Sequence, residues 1–420
     1  MFGTDRRVLA LALARMADAV GNSFLIVVLP VYIASGAVSG DTFGLEEAMV
    51  TGVVLSLFGF LNSFTQPFAG RISDRTGKRK LFILLGLAIL TLTNVAYAFA
   101  GNYVSLVLIR ALQGVGVAFT IPCTIALVNE LATGDTRGGN MGVFNTFRLL
   151  GFGLGPIAAG SVVDGGPYTI AGIQLTGFDA AFYFAAVGAL VSYLLVTLLV
   201  SDPKRTESSA GEEFDLSLRS SGGGLDPVFT LGLTTLFLAI SIALLATIEP
   251  TINERLDQGK TWFGLQFAAF VLAQVALQAP VGRASDRFGR RPFIIVGMVV
   301  LVPATLAQGF VGTSTQMLVA RLVQGVAGAL VFAPALALAG DLAREGQSGT
   351  QLSILTMAFG LGTAIGPLAS GFLVRYGFSI PFEFGAILAA LGALLVYTQV
   401  EETMSVGADS DAESRPAPQD

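Results

Sequence analysis

The chain has 420 residues, of which 53% are hydrophobic and only 13% charged, and its formal net charge is −5. A water-soluble surface needs far more charge than this, so the composition excludes an ordinary soluble protein and places the chain in a membrane. With no histidine and one cysteine, the chain also excludes His-based metal sites, His-based triads, histidine pH switches and any intrachain disulfide.

A helix needs about 20 mostly apolar residues to cross the hydrocarbon core. Twelve such runs are expected, over 8–34, 48–69, 81–100, 103–128, 140–162, 179–200, 227–250, 262–281, 292–311, 315–339, 350–373 and 381–399. The first is too long for a signal-peptide core and is read as a span. It carries Asn22 and, three residues apart on one helix face, Arg15 and Asp18. A short basic loop follows span two, with Gly70, Asp74, Arg75, Gly77 and Arg79; its glycines are expected to make a tight turn. Span four holds Arg110, Gln113 and Cys123, the last read as packing, and Glu130 follows it. Span five holds Gly142, Asn145, Arg148, Gly151, Gly155, Pro156, Ala159 and Gly160: a small-residue stripe for close packing, with a proline bend.

Residues 201–226 form the only long polar connection, Ser-rich with Pro203 and Gly222 to Gly224. They read as a flexible linker between an N-terminal bundle over 1–200 and a C-terminal bundle over 227–400. Glu249 precedes Pro250 at the end of span seven. A second basic loop, with Gly282, Asp286, Arg287, Gly289 and Arg290, follows span eight. Arg321 and Gln324 lie in span ten, Asp341 follows it, and the acidic stretch 401–420 reads as a disordered tail. With the N-terminus in the cytoplasm, seventeen of the 24 basic residues fall inside and only Arg255, Lys260 and Arg375 outside. The positive-inside rule therefore puts both termini in the cytoplasm.

Charge inside a bilayer costs about 2.5–3.5 kcal/mol per group at the helix centre, so such residues should face the bundle interior with partners. In a chain without histidine, a proton-coupled carrier must use carboxylates. Asp18 is the deepest acid of the first half, either a protonation site or a fixed partner of Arg15. Arg110, Arg148 and Glu249 are the other candidates for coupling. Asp74, Glu130, Asp286 and Asp341, with the basic residues around them, are read as a cytoplasmic latch between the halves or as topology anchors. Asn22, Gln113, Asn145, Gln274 and Gln324 could bond a substrate or hold helices together, and Phe24, Phe144 and Phe147 could line an apolar cavity.

The halves repeat. The block from Gly70 through Asp74 and Gly77 to Arg79 matches the one from Gly282 through Asp286 and Gly289 to Arg291, at an offset of 212. Arg110, Gln113 and Gly114 match Arg321, Gln324 and Gly325 at 211, as do Gly155, Pro156 and Gly160 with Gly366, Pro367 and Gly371. Two parallel six-helix repeats mark a transporter with its site between them. On these motifs the chain resembles the major facilitator superfamily over residues 5–400, and most closely its drug/proton antiporter group. The resemblance implies an all-α fold of two six-helix bundles around a central cavity, working by rocking alternating access. Arg110 resembles the family's span-four arginine, which is associated with proton coupling. The Gly142 to Gly160 pattern resembles its antiporter motif, with Ala159 where that motif has glycine. Glu130 and Asp341 match acids that belong to the family's gate.

The expected function is proton-coupled export of small apolar or cationic compounds, with ion-coupled uptake of a sugar or organic acid as the alternative. The expected partners are a small-molecule substrate, protons or sodium, and the lipid of a plasma membrane, for a monomer with no nucleic acid, metal or cofactor. No P-loop and no G-x-S-x-G elbow is present, against ATP drive and an enzyme. A channel or sensor would have no use for duplicated gating loops.

Overall fold

A computed structural model describes residues 6–42, 44–131, 137–170, 172–202, 224–342 and 348–402. The linker expected over 201–226 and the tail over 401–420 fall mostly outside them. The first half comprises α1 (Arg6–Ala34), α2 (Glu47–Thr76), α3 (Arg79–Tyr97), α4 (Tyr103–Glu130), α5 (Arg137–Asp164) and α6 (Gly177–Leu199). A small antiparallel hairpin, β1 (Tyr168–Ile170) and β2 (Ile173–Leu175), lies between α5 and α6. The second half comprises α7 (Pro227–Ala243), α8 (Glu249–Arg255), α9 (Lys260–Phe288), α10 (Arg290–Gln308), α11 (Ser314–Asp341), α12 (Ser348–Leu373) and α13 (Ile380–Gln399).

Eleven of the described helices are long and apolar enough to cross a membrane. The two that are not are the short α8 and α7, which ends at Ala243 and not near 250 as its apolar run suggests. At 17 residues and about 1.5 Å per residue it falls short of a bilayer about 30 Å thick. The chain turns over 244–248 and restarts as α8, with Pro250 in its first turn. Pro250 has no N–H to donate, so a continuous helix would lose one ladder bond at this point. The turn is pinned by Thr247, whose hydroxyl donates to the Pro367 carbonyl at 2.9 Å.

The basic loops are shorter than their sequence suggests. Gly70 lies inside α2 and Gly282 inside α9, so neither makes a turn. The turns are made by Gly77 (φ 64°) and Gly289 (φ 94°), backbone conformations that favour glycine. Two residues, Gly77 and Lys78, join α2 to α3, whereas Gly289 alone joins α9 to α10. Lys78 is thus the extra residue of the repeat. Arg79 corresponds in space to Arg290, not to Arg291 as the ungapped blocks pair them.

Apolar packing divides unequally along the molecule. At the end that carries the basic loops each half has its own core, around Leu11, Leu87 and Leu127 in the first and around Leu301, Val331 and Leu338 in the second. At the opposite end one core joins both, with Phe24, Leu29 and Val54 packed in the same cluster as Ile252, Phe263 and Met317. The halves meet along two seams, α5 against α9 and α2 against α12. Large apolar side chains such as Phe64, Leu92, Phe99 and Leu198 point outward, as a lipid-facing surface requires.

Candidate functional site

Asp18 is buried at 7% exposure and forms an ion pair with Arg15 one turn away on α1. The pair faces the interior of the first bundle. Small cavities touch Asp18 on either side, one lined by Asn22, Asn94, Gln113 and Ala185, the other by Leu11, Ile83, Thr120 and Thr124. Beside them Gln113 joins α3 to α4. Its Oε1 accepts from the Tyr97 hydroxyl at 2.9 Å and from Arg110 Nη1 at 3.0 Å, and its Nε2 donates to Asn94 Oδ1 at 2.6 Å. Arg110, only 2% exposed, also stacks over Phe58 at 4.4 Å. The carboxylate therefore pairs with Arg15, while Arg110 is held by Gln113 and the ring.

The second bundle copies this arrangement with one part missing. Arg321 bonds Gln324, which in turn donates to Thr305 Oγ1 at 3.2 Å and to the Ser241 carbonyl at 3.3 Å. Arg321 lies over Phe270 at 4.7 Å and Phe267 at 5.5 Å, and its Nε and Nη2 have no hydrogen-bond partner among the described residues. No Asp or Glu lies in α7 to play the part of Asp18. Among the described residues the buried acid of this half is Glu249, at the helix break, at 0% exposure. Its Oε1 is 3.4 Å from Asn253 Nδ2, and its Oε2 has no partner among the described residues. A polar chain continues from there, Gln258 donating to Asn253 at 3.0 Å and Gln266 donating to Gln258 at 2.8 Å. Asn253, Gln258 and Gln266 escaped the sequence reading. Their one signal is the i, i+4 spacing of Glu249 and Asn253.

Of the expected substrate-cavity residues, Gln113 and Gln324 lie inside their own bundles with their amides engaged, in the geometry of residues that tie helices together. Asn145 accepts from Arg148 Nε at 3.0 Å, and Asn22 borders the crevice beside Asp18. Arg148, half-buried on α5, lies one turn before Gly151, which packs against the Met16 backbone next to Arg15.

The gate residues form two matching relays. Arg79 donates to Asp74 Oδ1 and to Glu130 Oε1, each at 2.6 Å. Arg290 binds Asp286 at 3.1 Å and pairs with Asp341. These pairs lie within one half each and brace its bundle. Arg75 and Arg287 are exposed.

On α5 the small residues work as spacers. A Cβ on Gly151 would meet the Met16 backbone and one on Gly155 the Val20 carbonyl, both on α1. One on Gly160 would meet Thr261 on α9, and the Pro156 carbonyl faces Gly264 of the same helix. Among the described residues nothing lies within 4 Å of a Cβ on Gly142, which takes no part in their packing. Helix α5 is therefore wedged between α1 of its own half and α9 of the other.

The family model of the Major Facilitator Superfamily matches residues 11–232 and 230–418. An uncharacterised MFS-type transporter of Methanocaldococcus jannaschii is 31% identical over 42% of this chain and 46% of its own length, so the chain matches about half of that relative. The quinolone resistance protein NorA of Staphylococcus aureus is 24% identical over 90% of this chain and 92% of its own. A crystal structure of a bacterial homologue of the human lysosomal transporter Spinster superposes with a TM-score of 0.77 at 15% identity, covering 94% of this chain and 97% of that one. Two repeated bundles, two repeated arginine–glutamine sites, two repeated basic loops and a family match to both halves lead to one conclusion: the chain belongs to the Major Facilitator Superfamily and is a multi-pass membrane transporter.

Proposed function

We propose that this transporter is a proton-coupled exporter of small apolar or cationic compounds, working as a monomer by rocking alternating access in the plasma membrane with both termini cytoplasmic. The observation that carries the reading is the buried Arg15–Asp18 pair in a chain with no histidine. Loss of the Asp18 charge on protonation leaves Arg15 facing Arg148 without a counter-ion. The two cations sit on α1 and α5, and α5 bears directly on α9 of the opposite half. A proton bound in one bundle thereby biases the seam between the bundles, which supplies the difference between states that coupling requires. Glu249, buried at the break between α7 and α8, is a second carboxylate for protons or a cationic substrate. The likeness to NorA supports export.

The test uses inverted vesicles energised to an acid interior, with a pH-sensitive dye and a panel of lipophilic cations. Dye recovery on adding a compound, lost in Asp18→Asn, is the expected result; unchanged coupled transport in that variant rejects the role of Asp18. A second reading, uptake of an organic anion, draws on Arg321, a buried cation with two unbonded nitrogens. Uptake of a carboxylate, abolished in Arg321→Met, would favour it. Replacing sodium by choline in either assay separates sodium from proton coupling.

A further inference from the structure

The repeat relates the two seams to each other. Gly160 of α5 abuts Lys260 and Thr261 at the start of α9, and its counterpart Gly371 of α12 abuts Ala48 and Met49 at the start of α2. The backbone contacts are copies, but the polar contacts are not. On the first seam Asp164, the last residue of α5, reaches across to the other half. Its Oδ1 accepts from Lys260 Nζ at 3.1 Å, and its Oδ2 accepts from the Thr261 backbone N–H at 3.1 Å and hydroxyl at 3.0 Å. On the second seam the corresponding residue is Arg375, which stacks on its own neighbours Phe372 and Tyr376.

The start of α9 shows what this contact does, although the start of α2, whose N-cap Glu46 makes no side-chain cap bond either, has no such partner among the described residues. Its N-cap residue is Gly259, which has no side chain to offer, and the helix makes no capping bond of its own. A helix N-terminus leaves four N–H groups without partners, and a cap side chain normally accepts from the second or third residue. Thr261 is the second residue of α9, and the oxygen that serves it comes from the opposite bundle. We infer that Asp164 is a cap supplied in trans, a positioning residue that holds this end of the transporter shut by completing α9 only while the halves touch. The ion pair with Lys260 is secondary. Both side chains are about a third exposed, at 30% and 34%, and such pairs contribute little.

The inference rests on the alternating-access reading, and its test separates the two. Ala246 is buried in the core shared by both halves. In Ala246→Cys, labelling by a membrane-impermeant maleimide from the external face of right-side-out vesicles reports opening of this end; Cys123 is buried and silent. Adding Asp164→Ala should raise the labelling rate about fivefold, equivalent to about 1 kcal/mol at 1.4 kcal/mol per tenfold. Asp164→Asn should change it less than about twofold, because asparagine caps as well as aspartate, and Lys260→Gln should behave likewise. Gly259→Ser, which gives α9 a cap that works in either state, should raise labelling in the direction of Asp164→Ala and does so with Asp164 intact. The inference is overturned if Asp164→Ala labels at the parent rate, or if Lys260→Gln matches it, which would make charge the operative feature. A parent whose labelling responds to an imposed proton gradient, with no effect of Asp164→Ala, sinks the trans cap alone. Labelling that neither a gradient nor any variant moves sinks alternating access as well.

Discussion

Gly155 marks a close approach of α1 and α5 that one methyl group can test. A Cβ added there would lie 2.6 Å from the Val20 carbonyl oxygen and 3.1 Å from the Phe24 nitrogen, and would also meet Ser23 Oγ. Ser23 can rotate; the two backbone atoms cannot. The carbonyl contact falls about 0.8 Å short of the 3.4 Å at which ordinary packing begins, so Gly155→Ala must push the helices apart or bend one of them. Overpacking of this kind costs about 1–3 kcal/mol. Gly142, on the same helix with no described atom within 4 Å of an added Cβ, is the control. There alanine removes the entropic penalty of glycine in a helix, about 0.5–1 kcal/mol, with nothing to displace. That gain is common to both positions, so the two alanine variants should differ by the overpacking cost, roughly 1–3 kcal/mol in stability. The assay is thermal unfolding of the detergent-purified protein, followed by the fluorescence of Trp262, the only tryptophan. Gly155→Ala should unfold below the parent and Gly142→Ala at or above it. Coincident unfolding curves for the two variants would refute the idea that α5 is held to α1 by backbone approach.

The two charge relays should respond unequally to loss of their arginines. Arg79 is buried against Glu130, which is 14% exposed, and Asp74, which is 35% exposed, so Arg79→Ala strands one shielded carboxylate and should cost about 1–3 kcal/mol; the more exposed relay makes Arg290→Ala cost about 1 kcal/mol or less, both read by the same unfolding assay. Arg321 has no carboxylate partner among its described contacts, so Arg321→Met should leave stability unchanged or raised, whereas Arg15→Met, which leaves Asp18 buried and unpaired, should lower it. Thr247→Val removes the bond that pins the break before α8 to the Pro367 carbonyl, and should lower stability by about 1 kcal/mol and speed hydrogen exchange over 244–248. A variant as protected as the parent there would mean that Pro250 sets the break unaided.

Much of the architecture was legible because membrane helices are written in composition. Lipid demands long apolar runs with every backbone bond satisfied inside the segment, and the repeat then orders those runs into halves. The break in the seventh span was not legible from its proline. Pro30, Pro67, Pro122 and Pro156 all sit inside helices that continue, and Pro250 differs only in lying beside a turn that α12 holds in place. The extra residue of the first basic loop was hidden for a similar reason: Lys78, Arg79 and Lys80 are chemically alike, and only the geometry shows which of them meets Asp74 and Glu130. At the candidate site, Asp18, Arg110 and Glu249 stood out as costly charges in apolar runs. Arg15 stood out with Asp18 through their i, i+3 spacing, whereas Asn94, Tyr97 and Gln266 look ordinary until folding places them. The bond from Asp164 to Lys260 joins residues 96 positions apart across the two halves, a relation that no periodicity records.

The division of the core has a consequence for biosynthesis. Helices α1 to α6 leave the ribosome first and can complete the core around Leu11, Leu87 and Leu127 from their own residues. The other end of the same bundle cannot be finished then, because Phe24, Leu29 and Val54 share a cluster with Ile252, Phe263 and Met317, which are not yet made. The nascent first half thus waits in the bilayer with one end set and the other provisional, and the arrival of α8, α9 and α11 is the event that completes both halves at once.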